Sequence, residues 1–573
     1  MGKNVRKSAW RVLTFFLVYC MMIYTMKGVD EMRAKHKHDY EAVPLPSSNI
    51  SVRKVGKYRY AYHIGKGYRN AKGQPSSEQT GIGKVTEDGR LIPNDNYYAI
   101  FENRLPPAPR LEIDSIVNFG DFFLMDRIAK DIGLSRVLSN VYGSMGDEIL
   151  MLAIYMALTG QALYRCDGWQ RETLTGRDGK LSSQRCSRVL KSLDEPRRME
   201  FFRAWASARQ QHEYLAYEVT SVSSYSRGNE LVEHGYNRDG EEMAQVNLGM
   251  YYGEESGLPI FYCTYKGSIV DKSHLPYMMQ YNERLGIKEV CFVMDRGFFS
   301  ERNIKWMAHK HRFIMGISNS LRLSKDIISK YGNEVISSRY DIGLSGANGM
   351  SIEDSRYDFR SKIHLFYSLD KLSDEGRIFK EKLAKWEEDL RNGKSINVAE
   401  EYFHISYGNE TGTPVVTRNH AAIDEKLRNM GYFLMLTTDL KKTPSEVLQI
   451  YRKKDLIEKS FDELKNDLDM KRLRVHSDVA ASGKMFISFI GLILRTYVHQ
   501  KLQEYMDSKR PISMAQIFDE LRMIKTVKTK GGMWLHNPLT KRQRIILEQF
   551  DITEECITTA LNKYTGINPF FEE

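Results

Sequence analysis

The chain has 573 residues, 42% hydrophobic and 27% charged, which excludes a disordered or fibrous protein and leaves room for three or four domains of roughly 150 residues each. A net charge of +11 and a pI near 9.0 favour a polyanionic partner, nucleic acid before membrane, and say nothing about fold. Six cysteines without a Cys-x-x-Cys pair exclude a zinc ribbon and a disulfide framework and fit a reducing cytosol.

Residues 1–44 form an N-terminal extension. Lys3, Arg6, Lys7 and Arg11 precede an apolar run from Val12 to Met26, shorter than the ~20 residues that span a bilayer. No small-x-small cleavage site follows, and Arg33, Lys35 and Lys37 come next. The pattern predicts a terminal helix, or a translation start placed upstream of the true one, rather than an anchor. Residues 45–110 read as a small basic β module. Within 51–64, Tyr58, Tyr60, Tyr62 and Ile64 alternate with Lys57, Arg59 and Ala61, the pattern of a half-buried strand. The basic GKGYRNAKG stretch reads as a turn, and Asp88-Gly89 marks a hairpin. The module's charges suit phosphates and equally suit a solvated face. Pro106, Pro107 and Pro109 mark a linker.

Residues 111–212 turn helical. Ile116, Phe119, Phe122, Phe123 and Ile128 open the region, and Ile149–Ala162 is an apolar helix. Leu181–Leu193, capped by Ser182 or Ser183, points Gln184, Arg185, Ser187 and Arg188 outward. That is the pattern of the second helix of a helix-turn-helix, with Arg185 and Arg188 as DNA contacts; solvation alone produces the same pattern.

Residues 213–316 are strand-rich. YLAYEVTSV at 214–222 reads as a buried strand with Glu218 in its middle, and a carboxylate there is costly unless paired or bound to metal. Ala244–Tyr252 and Leu258–Lys266 follow, joined by GEESG as a hairpin, so an antiparallel trio begins the sheet. Val290–Met294 is wholly apolar, as in a central strand covered on both faces. Asp295-Arg296-Gly297 ends it. An acid at the carboxyl end of such a strand is a common place for chemistry, and it is also a place to cap the helix at Ser300–Lys310.

Residues 317–430 mix short strands, such as Lys362–Tyr367 and EYFHISYG, with a charged helix near 374–392. The long separation of Asp295 from Glu458 implies an inserted domain of about 100 residues. Gly431–Thr438 returns to a buried strand and feeds TPSEVLQIYRKKDLIEKSFDELKNDL, Thr443–Leu468, read as one helix. Thr443 serves as N-cap, Pro444 suits the first helical position, and Glu446 completes a capping box. Ile450, Ile457, Phe461, Leu464 and Leu468 make its apolar stripe. On a regular wheel Tyr451, Lys454, Glu458 and Lys465 share an arc of about 60° beside it. A Lys454–Glu458 pair is the plain explanation, worth a few tenths of a kcal/mol. The core closes over 431–505, with an apolar helix from Met485 to Tyr497. A helical tail at 506–573 carries the basic stretch Lys525–Lys530.

Glu218 on a first strand, Asp295 at the end of a later one and Glu458 on a late helix make one constellation. Three carboxylates converging at a sheet edge suit two hard divalent cations, Mg²⁺ or Mn²⁺. Two such ions about 3.5–4 Å apart serve in-line phosphoryl transfer, with basic residues holding the phosphodiester backbone.

These segments resemble the DDE transposases of bacterial insertion sequences, in the group with a Tyr-Arg-Glu-Lys signature: Tyr, two residues, Arg, three residues, Glu, six residues, Lys. Here the positions are Tyr451, Lys454, Glu458 and Lys465. YEVTSVSSYS at 217–226, YKGSIVDKSHL at 265–275, FVMDRGFFS at 292–300 and GYFLMLTTD at 431–439 carry the rest. The resemblance implies an α/β fold: an RNase H-like core with a mostly β insertion before the last acid, preceded by the small β module and the helical DNA-binding region. It implies a metal-dependent enzyme that cleaves and joins DNA at terminal inverted repeats, with two Mg²⁺ or Mn²⁺ ions on Glu218, Asp295 and Glu458. Tyr451, Lys454, Lys465 and Arg296 become DNA contacts. It further implies a homodimer in the synaptic complex, no membrane partner, and a bacterial cytoplasmic location. Two positions depart from the pattern. Glu218 stands where the family has Asp, and Lys454 stands where it has Arg, keeping the charge and losing the bidentate fork. The alternative is a catalytically weakened copy that acts only as a DNA-binding protein.

Overall fold

In the computed structural model, residues 41–565 are described, apart from 70–73, 103–112, 178, 210–213, 227, 288–290, 345, 408–413, 474–476, 507–511 and 531. The apolar run Val12–Met26 and the three linker prolines lie outside the described residues. The described chain forms two compact units. One runs up to Ile116 and includes Val527–Pro538; the other comprises Val117–Thr526 and the residues from Leu539 onward.

The first unit begins with a four-stranded antiparallel sheet in sequence order: β1 Ile50–Val55, β2 Tyr58–Arg69, β3 Pro75–Val85 and β4 Leu91–Pro93. The Asp88-Gly89 hairpin forms, closed by a bond from the Thr86 amide to the Arg90 carbonyl, 2.8 Å. Two expectations change. The alternation at 51–64 is two strands around a turn at Gly56-Lys57, and its buried member is Ala61, packed with Ile82, Val85 and Leu91. The tyrosines take the other face. Nor does the chain turn at GKGYR. Gly67, Tyr68 and Arg69 stay in β2 because they pair with Ser77, Ser76 and Pro75.

Strand β5 (Ile113–Asn118) crosses the boundary at Ile116 and precedes the helices of the second unit. Ile116, expected in a helix, is on this strand and 55% exposed. Phe119, Phe122, Phe123 and Ile128 are buried as their spacing requires, the last three on helix Gly120–Asp131. Helix Met145–Thr159 packs against the long helix Asp478–Met506. Among the described residues, Asp478–Met506 alone is long and apolar enough to cross a membrane, and 83% of its most apolar window is buried inside the fold.

Against this helical layer lies a mixed sheet, ten strands among the described residues. Its order is β11-β12-β13-β16-β10-β9-β6-β7-β8, with short β17 (Arg472–Leu473) beside β6. The antiparallel trio is β6 Leu215–Ser224, β7 Gln245–Gly253 and β8 Pro259–Lys266. β9 Cys291–Met294 and β10 Arg312–Ile317 run parallel to β6, and their burial, continuous but for Arg312, follows from their central position.

The expected insertion is only partly separate. β11 Asp341–Leu344, β12 Ala347–Asp354 and β13 Ser361–Ser368 extend the main sheet, because β13 pairs with β16 Tyr432–Thr437 over six residues. Those pairings cover an edge that β16 would otherwise expose. The small body with its own core is made by helix Leu369–Arg391, the β14 Phe403–Tyr407 and β15 Pro414–Arg418 hairpin, and helix His420–Arg428. The tail is not all helical either. Lys525–Thr529 and Trp534–His536 form β18 and β19, in a three-stranded sheet of order β19-β18-β5. The alternation of Lys525, Val527 and the β-branched Thr526 and Thr529 suits a strand better than a helix.

Candidate active site

β6 and β9 are neighbours in parallel register, Tyr217 opposite Met294. Glu218, one residue beyond Tyr217, therefore comes beside Asp295, one residue beyond Met294. Every other residue of β6 is buried, and Glu218 alone is intermediate. Asp295 does not cap the following helix. Helix Glu301–Ala308 takes its cap from Ser300, whose hydroxyl accepts from the Asn303 amide. Asp295 is thus available to the site.

The Thr443 capping box forms as expected, with Pro444 at the first turn. The single helix does not. The chain makes helix Pro444–Arg452, a tight turn at Lys453-Lys454, helix Asp455–Asp462, and a π turn at Glu463–Asp467. At the turn, the Lys454 amide donates to Tyr451 and the Ile457 amide to Lys454, 3.2 and 2.8 Å. Such three-residue steps wind about 120° per residue in place of 100°. Everything downstream is rotated, and the wheel expected for Tyr451, Lys454, Glu458 and Lys465 no longer holds.

Tyr451 and Lys454 turn into the sheet. The Tyr451 hydroxyl donates to Asp295 Oδ1 at 2.9 Å. Lys454 Nζ lies 2.7 Å from Glu218 Oε2, with the two side chains 7% and 18% exposed, and 5.2 Å from the Tyr451 ring centroid. Burial pushes Glu218 above the ordinary carboxylate range, against the lowering by Lys454. Burial and then Asp295 raise the Tyr451 phenol. The π turn brings Leu464 and Lys465 back to buried positions, and Lys465 Nζ donates to Asp239 at 2.6 Å. Glu458 comes out exposed.

The sequence-derived residues therefore separate. Glu218, Asp295, Tyr451 and Lys454 are together. Lys465 is held by Asp239, and Glu458 is not grouped with the other two acids. Among the described residues no set of three or more His, Cys, Asp or Glu is placed to hold a metal ion. As they stand the acids do not fit a metal pair, since a lysine ammonium occupies the charge-neutralising place beside Glu218. Of the other basic candidates, Arg296 and Arg188 are exposed. Arg185 is tied in a bidentate pair to Glu148, 2.7–3.0 Å, and Ser182 caps its helix.

Three contributors went unnoticed in the sequence. Asp239 and Glu241 lie in the loop between β6 and β7; Glu241 holds Arg472 at 3.1 Å. No motif marks them, because they act on residues far along the chain. Gly316 on β10 is the third. A Cβ there would sit 3.1 Å from the Arg296 amide nitrogen, close enough to push that backbone by a few tenths of an ångström, and would touch the Tyr451 hydroxyl at 3.4 Å.

Residues 211–494 match the family model of the transposase DDE domain. The chain carries that domain and belongs with the DDE transposases, a family of polynucleotidyl transferases that generally use divalent metal ions. Among solved structures it is similar to a piggyBac transposase, in a cryo-EM synaptic complex with hairpin DNA, at 11% identity and a TM-score of 0.31 over 70% of each chain. No curated protein matches.

Proposed function

We propose that this chain is the transposase of an insertion sequence, cleaving DNA at the element's terminal inverted repeats and transferring the strands to a target. The observation that carries this is Glu218 beside Asp295 on neighbouring parallel strands, faced by Tyr451 and Lys454. The strand order β8-β7-β6-β9-β10, an antiparallel trio continued by parallel strands, supports the RNase H-like reading of the core. Glu218, Asp295 and Glu458 are the catalytic acids in this account. Tyr451, Lys454, Lys465 and Arg296 hold the strand near its cleaved end, and Arg185 and Arg188 contact DNA from the helical region. Arriving phosphates take over Lys454 and Lys465 from Glu218 and Asp239, as cations released from carboxylates bind polyanions. Dependence on Mg²⁺ or Mn²⁺, and a dimer joining two ends, follow from the family resemblance.

The test is cleavage of a duplex bearing the element's ends in Mg²⁺ or Mn²⁺, against the same reaction with Asp295→Ala. Cleavage by wild type, lost in the variant, is expected. Binding without cleavage in both removes the enzyme. One observation favours the second reading, a weakened copy that only binds DNA: Glu218 is one methylene longer than the family's Asp and is already paired to Lys454. Misplacing a catalytic group by ~1 Å costs ~10²-fold. Cleavage that appears only in Glu218→Asp establishes that reading.

A further inference from the structure

The N-terminal sheet has one side filled by its core and one side open. Ala61, Ile82, Val85 and Leu91 are the filled side. Register sets the other. Arg53 stands opposite Tyr60, and Tyr60 opposite Lys84, so the three share a face. Tyr58 and Tyr62 join them by the two-residue alternation of β2. Cations lie over the rings. Lys84 Nζ is 3.8 Å from the Tyr58 centroid, and the Arg53 guanidinium 5.4 Å from that of Tyr62. Tyr58 is 40% exposed. An open cavity of about 290 Å³ runs between Tyr60, Tyr62 and Lys84. Gly81 stands opposite Tyr62, and a Cβ there would only touch the ring, 3.6 Å away. The residues across this face at these register positions are Ser51, Arg53, Val55, Tyr58, Tyr60, Tyr62, Lys84 and Ile92, with no carboxylate among them.

A face that needs only solubility mixes charge signs and does not line up three tyrosines. Rings two residues apart on a strand are about 6.6 Å apart, twice the ~3.4 Å spacing of stacked bases in a duplex. Bases meeting successive rings must therefore be unstacked, which a duplex forbids and a single strand allows. Aromatic rings with flanking cations are the means by which proteins hold single strands without sequence preference. We propose that this face binds single-stranded DNA, with bases on Tyr58, Tyr60 and Tyr62 and phosphates against Arg53 and Lys84. The choice of DNA over RNA rests on the transposase reading; the stacking site itself does not.

The test uses the full chain and fluorescence anisotropy with labelled (dT)15, (U)15 and a blunt duplex. The double variant Tyr60→Ala/Tyr62→Ala should bind (dT)15 roughly tenfold or more weakly, while Tyr60→Phe/Tyr62→Phe binds as wild type. Lys84→Ala should lower the salt slope by about 0.7. Duplex affinity should not change in any of them. Unchanged (dT)15 affinity in the alanine variant, or an equal loss on duplex, overturns the site. Much tighter binding of (U)15 overturns the assignment to DNA. End-cleavage is measured separately, so a chain that binds (dT)15 through these rings and never cleaves keeps this site and loses the transposase reading.

Discussion

Glu218 and Asp295 sit on strands, and Glu458 sits on a helix. The strand pair is held side by side by the register of β6 and β9 and bonded to Lys454 and Tyr451. The helix acid is exposed and stands apart from them. A strand fixes each side chain to a face and a partner. A helix fixes it only while the winding is regular, and a few overwound residues at Lys453-Lys454 turn Glu458 away. The candidate site thus has one half set by register and one half set by winding.

Removing a partner on the register-set half has the largest expected effect on stability. Lys454→Ala leaves Glu218 buried beside Asp295 with no cation, and loss of one member of a buried pair costs about 3–5 kcal/mol. The denaturant midpoint should fall accordingly, and Lys454→Met combined with Glu218→Gln should recover most of it. A loss below about 1 kcal/mol would mean that water, not Lys454, satisfies Glu218. The start of the winding-set half is worth less. Thr443→Ala removes the cap and should cost about 1 kcal/mol. The Thr443 backbone N–H, then Lys442 and the Thr443 hydroxyl, hold Glu446 down at about 2. A lowered carboxylate contributes above its ordinary value and loses that contribution as pH falls. The part of the Thr443→Ala penalty carried by the hydroxyl's bond to the Glu446 carboxylate should therefore be full at neutral pH and shrink between about 4.5 and about 2. A penalty that does not change across that window would assign it to the bond from the Glu446 amide to the Thr443 hydroxyl, which does not titrate, rather than to the hydroxyl's bond to the Glu446 carboxylate. Smallest is Glu458→Gln, which should leave stability within about 0.5 kcal/mol of wild type because the side chain is exposed.

The same contrast separates what could be read in the sequence from what could not. The trio β6-β7-β8, the central strand β9 and the capping box were legible, because alternation, continuous apolarity and cap residues are local signals. The burial of Ile457, Phe461, Leu464 and Leu468 followed from their spacing. The winding defect was not legible. It depends on Tyr451 and Lys454 finding Asp295 and Glu218, partners more than a hundred residues away. Asp239 and Gly316 were hidden for the same reason. That part of the expected insertion joins the main sheet was not legible, because β13 is an ordinary strand whose pairing to β16 is a tertiary choice. In the first unit the alternation of β2 marked a half-buried strand but not which face is covered, which Ala61, Ile82 and Val85 decide by packing together.

The most direct test of the central claim, that the fixed Glu218–Asp295 pair and the outlying Glu458 belong to one active site, is end-cleavage by Glu458→Gln. This variant should melt with wild type and fail to cut a duplex bearing the element's ends in Mg²⁺. Cleavage at the wild-type rate would contradict it, leaving Glu458 a solvent-facing residue of its helix.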